Sequence, residues 1–211
     1  MKFYSVVSAI IFLVAWILIL LSFFKTWYYF EITQPIDEYN TVKYSFGIGK
    51  VKTHDYHNST ANSNLDTIKF FKQFGIGEVR YNEFLSASVG FAIISWVICM
   101  VQFALCVLDV IGKTSNIGRF LGIIVLIFTM LSLSIFTGFK SSLHKACLQS
   151  KVNNCDSGAL KGLWSSSFVG ENDYSEWGYG DGWIYMIAAF VLSFAGAIYN
   201  ILFFNKNRED D

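Results

Sequence analysis

Four long apolar runs dominate this chain: Val6–Phe24, Phe84–Leu108, Phe120–Phe139 and Trp183–Phe204. A bilayer core needs roughly 20 helical residues at about 1.5 Å rise per residue, and each run meets that length. None of them contains Asp, Glu, Lys, Arg or His. The fold expected is a membrane α-helical one: a left-handed bundle of four spans forming a single membrane domain over residues 1–211. The spans are placed at about 6–24, 84–108, 120–139 and 183–204.

Composition agrees. Of 211 residues, 54% are hydrophobic, too many for a water-facing globule but ordinary when lipid surrounds the helices. The formal net charge is zero, which gives no footprint for nucleic acid. Trp27, Tyr28 and Tyr29 follow the first run, and Trp183 and Tyr185 open the last. Amphipathic rings at run ends suit the membrane interface. The first run is too long for a signal-peptide core, and bulky Leu21, Phe23 and Phe24 stand where cleavage needs small residues, so it reads as a retained signal anchor.

The connections are unequal. The outer loops are expected at 25–83 and 140–182, with a tight turn at 109–119 between them. Four spans put both termini on one side and both long loops on the other. The density of basic residues (Lys2, Lys113, Arg119, Lys206 and Arg208) in the short segments places those segments in the cytoplasm. Two features assign the long loops to the lumenal or extracellular side. Asn58-Ser59-Thr60 is a glycosylation sequon, and Cys147 and Cys155 could pair in an oxidising compartment. The membrane expected is the plasma membrane or an endomembrane.

Strand character concentrates in the first loop. Thr26–Thr33 is aromatic and β-branched, Thr41–Thr53 partly alternates around Gly47 and Gly49, and Pro35 with Asp37–Asn40 marks a turn. Thr67–Phe74 could be strand or helix, and His54–Asn64 reads as a polar loop tip. A small extracellular antiparallel sheet from this loop is expected on the outer end of the bundle. The second loop is rich in Ser, Gly and Asn, with Trp164 and Trp177 as buried anchors, and Gly178–Gly182 reads as a flexible return to the membrane.

The chemistry-bearing residues are few. A Cys147–Cys155 disulfide would close a short loop, with free thiols as the alternative. Cys99 and Cys106 lie within the second run as packing residues, and Cys106 is also a palmitoylation candidate. His54, His57 and His144 all fall outside the runs, which excludes haem held between the spans. Charge-free spans argue against a pump or a voltage sensor. Gln102 and Asn200 suit interhelical hydrogen bonds. No metalloprotease, serine-hydrolase or phosphate-loop pattern is present, so no enzyme and no cofactor are expected. Small residues at helical spacing (Ala189, Ser193 and Ala197, and Gly118 with Gly122) allow close helix approach, inside one bundle or against a partner.

The layout resembles the claudin and peripheral-myelin-protein superfamily of tetraspan proteins. Trp27 matches the family's Trp after the first span, Gly47 lies where its Gly-Leu-Trp would fall, and Arg80 has a counterpart before the second span. Gly49 replaces the second Trp, the first loop has no cysteine, and Gly162-Leu163-Trp164 stands in the other loop. The resemblance implies inward termini, a long first outer loop of strands and a shorter second loop. The expected role is that of a structural, adhesion or accessory subunit, working through its outer loops and lateral helix contacts. An oligomeric channel or paracellular-type pore is the alternative. The partners expected are the bilayer and another membrane protein or a second copy.

Overall fold

The computed structural model describes residues 3–32, 42–47, 50–55, 63–66, 81–113, 118–149, 155 and 161–204. The elements run α1 (Phe3–Phe24), β1 (Tyr28–Ile32), β2 (Val42–Phe46), β3 (Lys50–Asp55), β4 (Ser63–Asp66), α2 (Tyr81–Val110) and α3 (Gly118–Gln149). After these come α4 (Lys161–Trp164), β5 (Gly170–Glu171), β6 (Ser175–Tyr179) and α5 (Asp181–Phe204). Four helices, α1, α2, α3 and α5, are long and apolar enough to cross a membrane. The chain is a multi-pass membrane protein on that ground.

Every helix outruns its apolar run. The largest difference is in α3, where Lys140–Gln149 was expected as loop and is helix. Its 32 residues span about 48 Å, well beyond the roughly 30 Å of a bilayer core. The cause is legible in burial: Phe139, Lys140, Leu143, Ala146 and Cys147 are all buried. That is the i, i+1, i+4, i+7, i+8 stripe of an amphipathic helix, so packing continues the helix after the apolar run has stopped.

The chain divides into two compact units. The first comprises Met1–Ser22, Val89–Leu133 and Tyr185–Asp211, the greater part of the four long helices. Its interior holds Phe12, Ala15, Ile19, Ala92, Cys99, Val125, Met186 and Ala189. Its outward positions include Ile10, Val14, Ile17 and Leu21 on α1, at the spacing of a lipid-facing stripe.

The second unit comprises Phe23–Ser88 and Ser134–Ile184. It holds one six-stranded antiparallel sheet of order β4-β3-β2-β1-β6-β5. The sheet was expected from the first connection alone, and it is not confined to it. The second connection supplies β5 and β6, and β6 pairs along the whole of β1, from Tyr28 opposite Tyr179 to Ile32 opposite Ser175. The glycine-rich segment before the last helix is therefore strand up to Tyr179. Its close is fixed by Gly180 donating to the Trp27 carbonyl at 2.9 Å and Gly182 to the Thr26 carbonyl at 2.7 Å. His54 also lies in β3 rather than in a loop tip, and Ser63 and Asn64 lie in β4. The stretch Thr67–Phe74 and the turn at Pro35 lie outside the described residues.

Candidate functional site

The sheet has two chemically different faces. Alternation along β1 buries Tyr28, Phe30 and Ile32 and leaves Tyr29 and Glu31 partly open. Phe46, Val51 and Trp177 join the buried face from β2, β3 and β6. The other face carries Tyr29, Glu31, Lys43, Ser45, Lys52, His54 and Glu176. Lys43 bonds Glu31 at 2.8 Å and stands 4.8 Å from the centre of the Tyr29 ring. The Tyr29 hydroxyl donates to Glu176 at 2.6 Å. That bond first, then partial burial, pushes the Tyr29 phenol up to about 12, because ionisation would set a phenolate against a carboxylate.

Beneath the buried face lies a lysine with no carboxylate partner among the described residues. Lys140 of α3 is fully buried. Its ammonium donates to the Tyr28 hydroxyl at 2.8 Å, the Gly162 carbonyl at 2.8 Å and the Leu163 carbonyl at 2.9 Å. Three donors meet three acceptors, which is the condition for a buried ammonium. The Tyr28 hydroxyl in turn donates to the Gly162 carbonyl at 3.2 Å, and burial raises its phenol above the ordinary value. One side chain thus ties β1, α3 and α4 together. His144, one turn further along α3, bonds the Trp164 carbonyl through Nδ1 at 2.9 Å. The next turn carries Cys147, which is joined to Cys155 by a disulfide with Cα atoms 6.0 Å apart.

Rings fill the space around the lysine. Phe136 stacks on Phe139, Trp27 meets Phe136 edge-on at 5.0 Å, and Phe168 touches Tyr28 and Phe136. Trp177 lies between Gly162 and Gly170, so close that a β-carbon on either would overlap the indole, and its Nε1 donates to the Ser167 carbonyl at 3.2 Å. Trp164 and Trp177 are the buried anchors expected of the second connection.

The first unit has a polar cluster of its own, drawn from α1, α2 and α5. Ser8 donates to Asn200 Oδ1 and lies 3.4 Å from the Cys106 thiol, which Gln102 Nε2 also approaches at 3.5 Å. Ser5 donates to Asp109. Asn200 therefore makes an interhelical hydrogen bond, as expected, whereas the bond from Gln102 stays within α2. Cys99 is buried, its thiol against the Phe12 carbonyl at 3.4 Å. Cys106 is free and only 7% exposed, enclosed by its polar neighbours, an enclosed position for an acylated thiol.

Ala189, Ser193 and Ala197 are buried. Gly122 opposes Phe12 and Ala197, and Gly118 opposes Leu105. The small-residue stripe is taken up by the chain's own helices. Trp27 is buried at the start of the sheet, donating to the Phe46 carbonyl at 2.8 Å, and Gly47 follows β2. Asn58 and Arg80 lie outside the described residues.

Sequence reasoning passed over Lys140 and the Gly162–Trp177 contact, and read Tyr28 as an interface ring, where the structure buries it against Lys140. The signal for Lys140 was available: a lone lysine flanked at helical spacing by Phe136, Phe139, Leu143 and Cys147. Among the described residues no group of His, Cys, Asp and Glu is arranged to hold a metal ion. No protein-family model matches the chain, and no curated protein matches it in sequence.

Proposed function

We propose that this chain is a non-enzymatic, claudin-like tetraspan protein that acts as a structural, adhesion or accessory subunit through its extramembrane sheet. The observation that carries the reading is the fusion of both long connections into one sheet, with β1 hydrogen-bonded to β2 on one side and β6 on the other. Two flexible loops would offer a partner little fixed surface. One sheet tied by Lys140 to α3 offers a preorganised one, which lowers the ordering cost of binding. Trp27 at the root of β1 supports the claudin-like assignment.

In this reading the four helices form a left-handed bundle in the plasma membrane or a related endomembrane. Both termini are cytoplasmic, and the sheet with Asn58 is lumenal or extracellular. Crosslinking in native membranes tests the function: a captured membrane partner, or a second copy, supports it, and a chain that stays alone under every crosslinker sinks it. Conductance above background after reconstitution into bilayers would reassign the protein as a pore former. A shift in gel mobility on enzymatic deglycosylation, abolished by Asn58→Gln, tests the orientation.

A further inference from the structure

The β5–β6 hairpin carries an exposed tyrosine at its turn. The turn is held from within. The Asn172 amide donates to the Ser175 carbonyl at 2.8 Å, and Asn172 Oδ1 accepts from the amides of Tyr174 at 2.8 Å and Ser175 at 2.7 Å. The Tyr174 side chain takes no part in this: it is 40% exposed, and its hydroxyl has no hydrogen-bond partner among the described residues. From Ser175 to Tyr179 the strand rises four steps of about 3.4 Å, so the turn stands about 14 Å along β6 from the end at which α5 begins. The phenol is thus held clear of the membrane end of the strand.

Its flanks are acidic. Glu171 and Asp173 stand three and one positions before Tyr174, Glu176 stands two after it, and all three are exposed. No Lys, Arg or His occurs from Val169 to Tyr179. The other tyrosines of the sheet differ. Tyr28 is buried, Tyr44 stacks on Phe30, and the Tyr29 hydroxyl is committed to Glu176. Tyr179 is as exposed, but it follows a glycine and lies flat on Trp183 with ring centres 4.5 Å apart. Tyr39 and Tyr56 also follow acids, with Lys43 and Lys52 nearby in sequence, and lie outside the described residues.

We propose that Tyr174 is a modification site, the acceptor of a sulfate group transferred from a phosphoadenylyl sulfate donor by a tyrosine sulfotransferase of the secretory pathway. The proposal rests on the lumenal or extracellular orientation proposed above. The phenol oxygen forms a bond to sulfur, and the bond from sulfur to the phosphate oxygen of the donor breaks. The adenosine bisphosphate leaves with that electron pair, and the phenol proton passes to a base on the transferase. Because the donor carries several negative charges, the site that holds it is basic. A basic cleft draws in a phenol flanked by carboxylates and repels one flanked by lysines. The turn lies outside the paired residues of β5 and β6, so the phenol is reached without opening the sheet. The product is an aryl sulfate whose negative charge, unlike that of a phosphate ester, does not change near neutral pH.

The test supplies radiolabelled sulfate to cells that contain the transferase and express the full-length chain. The purified protein is stripped of N-glycans and hydrolysed in alkali, which spares tyrosine sulfate. Label should be recovered as tyrosine sulfate and map to the peptide that carries Tyr174. It should disappear from that peptide in Tyr174→Phe, which keeps the thermal midpoint of wild type, and persist in Tyr179→Phe. Glu171→Gln combined with Asp173→Asn should lower it at least about tenfold at equal expression. Absence of labelled tyrosine sulfate, label undiminished by Tyr174→Phe, or incorporation indifferent to the acidic pair overturns the proposal. Label supplied by radioactive phosphate in place of sulfate assigns a kinase and overturns it as well. A glycan on Asn58 in a protein without tyrosine sulfate overturns this proposal alone, whereas absence of both overturns it together with the orientation.

Discussion

A β-carbon added to Gly162 would fall 2.1 Å from Cε3 of Trp177. Alanine ordinarily favours a helix over glycine by about 1 kcal/mol, but here the overlap decides the sign. The indole has little room to retreat, since Gly170 bounds it at 2.5 Å by the same measure. Gly162→Ala should therefore destabilise the protein by roughly 1–3 kcal/mol, read as a lower thermal midpoint in detergent with altered tryptophan emission. Gly90, in the middle of α2, has nothing within 4 Å of such a carbon, so Gly90→Ala should be neutral or stabilising by up to about 1 kcal/mol. Equal effects at the two sites would contradict this account of Trp177.

Lys140→Met keeps the length of the side chain and removes all three donors. The Leu163 carbonyl then loses its bond from Lys140, while the Gly162 carbonyl keeps the Tyr28 hydroxyl. Relief from burying a cation offsets part of the loss, which leaves a net destabilisation of roughly 1–3 kcal/mol. Denaturation midpoints measured beside wild type check this, and an unchanged midpoint would mean that the lysine clamp is dispensable.

Reduction of Cys147–Cys155, or Cys155→Ser, reopens a loop closed across a sequence separation of 8. Chain entropy assigns such a closure about 2–3 kcal/mol. Melting with and without a membrane-permeant reductant should differ in wild type and coincide in the variant.

The hydrogen bond to Glu176, then partial burial, pushes the Tyr29 phenol from its ordinary value of 10 up to about 12. A raised value means that the folded state holds this proton more tightly. The stabilisation is complete below pH 10 and is lost as pH climbs from there through about 12. Ultraviolet titration should show the phenolate appearing earlier in Glu176→Gln, where the carboxylate is gone.

In the first unit, Asn200→Leu removes the acceptor of the Ser8 hydroxyl. Bonds between membrane helices are worth about 0.6 kcal/mol on average, so the variant should fold and lose less than about 2 kcal/mol. A larger loss, followed by unfolding in sodium dodecyl sulfate, would give the Cys106 cluster more weight than this.

The long helices were legible because span length and the cost of a charge in lipid are properties of sequence alone. That same rule hid the end of α3: a lysine after Phe139 reads as the edge of the membrane unless its three acceptors are known, and two of them are carbonyls of α4. β1 and the β2–β3 hairpin announced themselves through aromatic and β-branched residues and short-range pairing. β6 did not. Its sequence Ser-Glu-Trp-Gly-Tyr contains a turn-forming glycine, and only its remote partner β1 makes it a strand. The placing of Glu31 between Lys43 and Glu176 was equally hidden, since it exists only once three strands share one register.

Because β1 receives β6 along its whole length, synthesis and closure of the sheet are separated in time. Tyr28 leaves the ribosome long before Tyr179, its partner. At common elongation rates the delay is roughly ten to thirty seconds. Throughout it one edge of β1 presents unpaired amides and carbonyls beside Phe30 and Ile32, an adhesive combination. Survival of the nascent chain then depends on whatever shields that edge during biogenesis, and a ribosome stalled before β6 releases a product with the edge still bare.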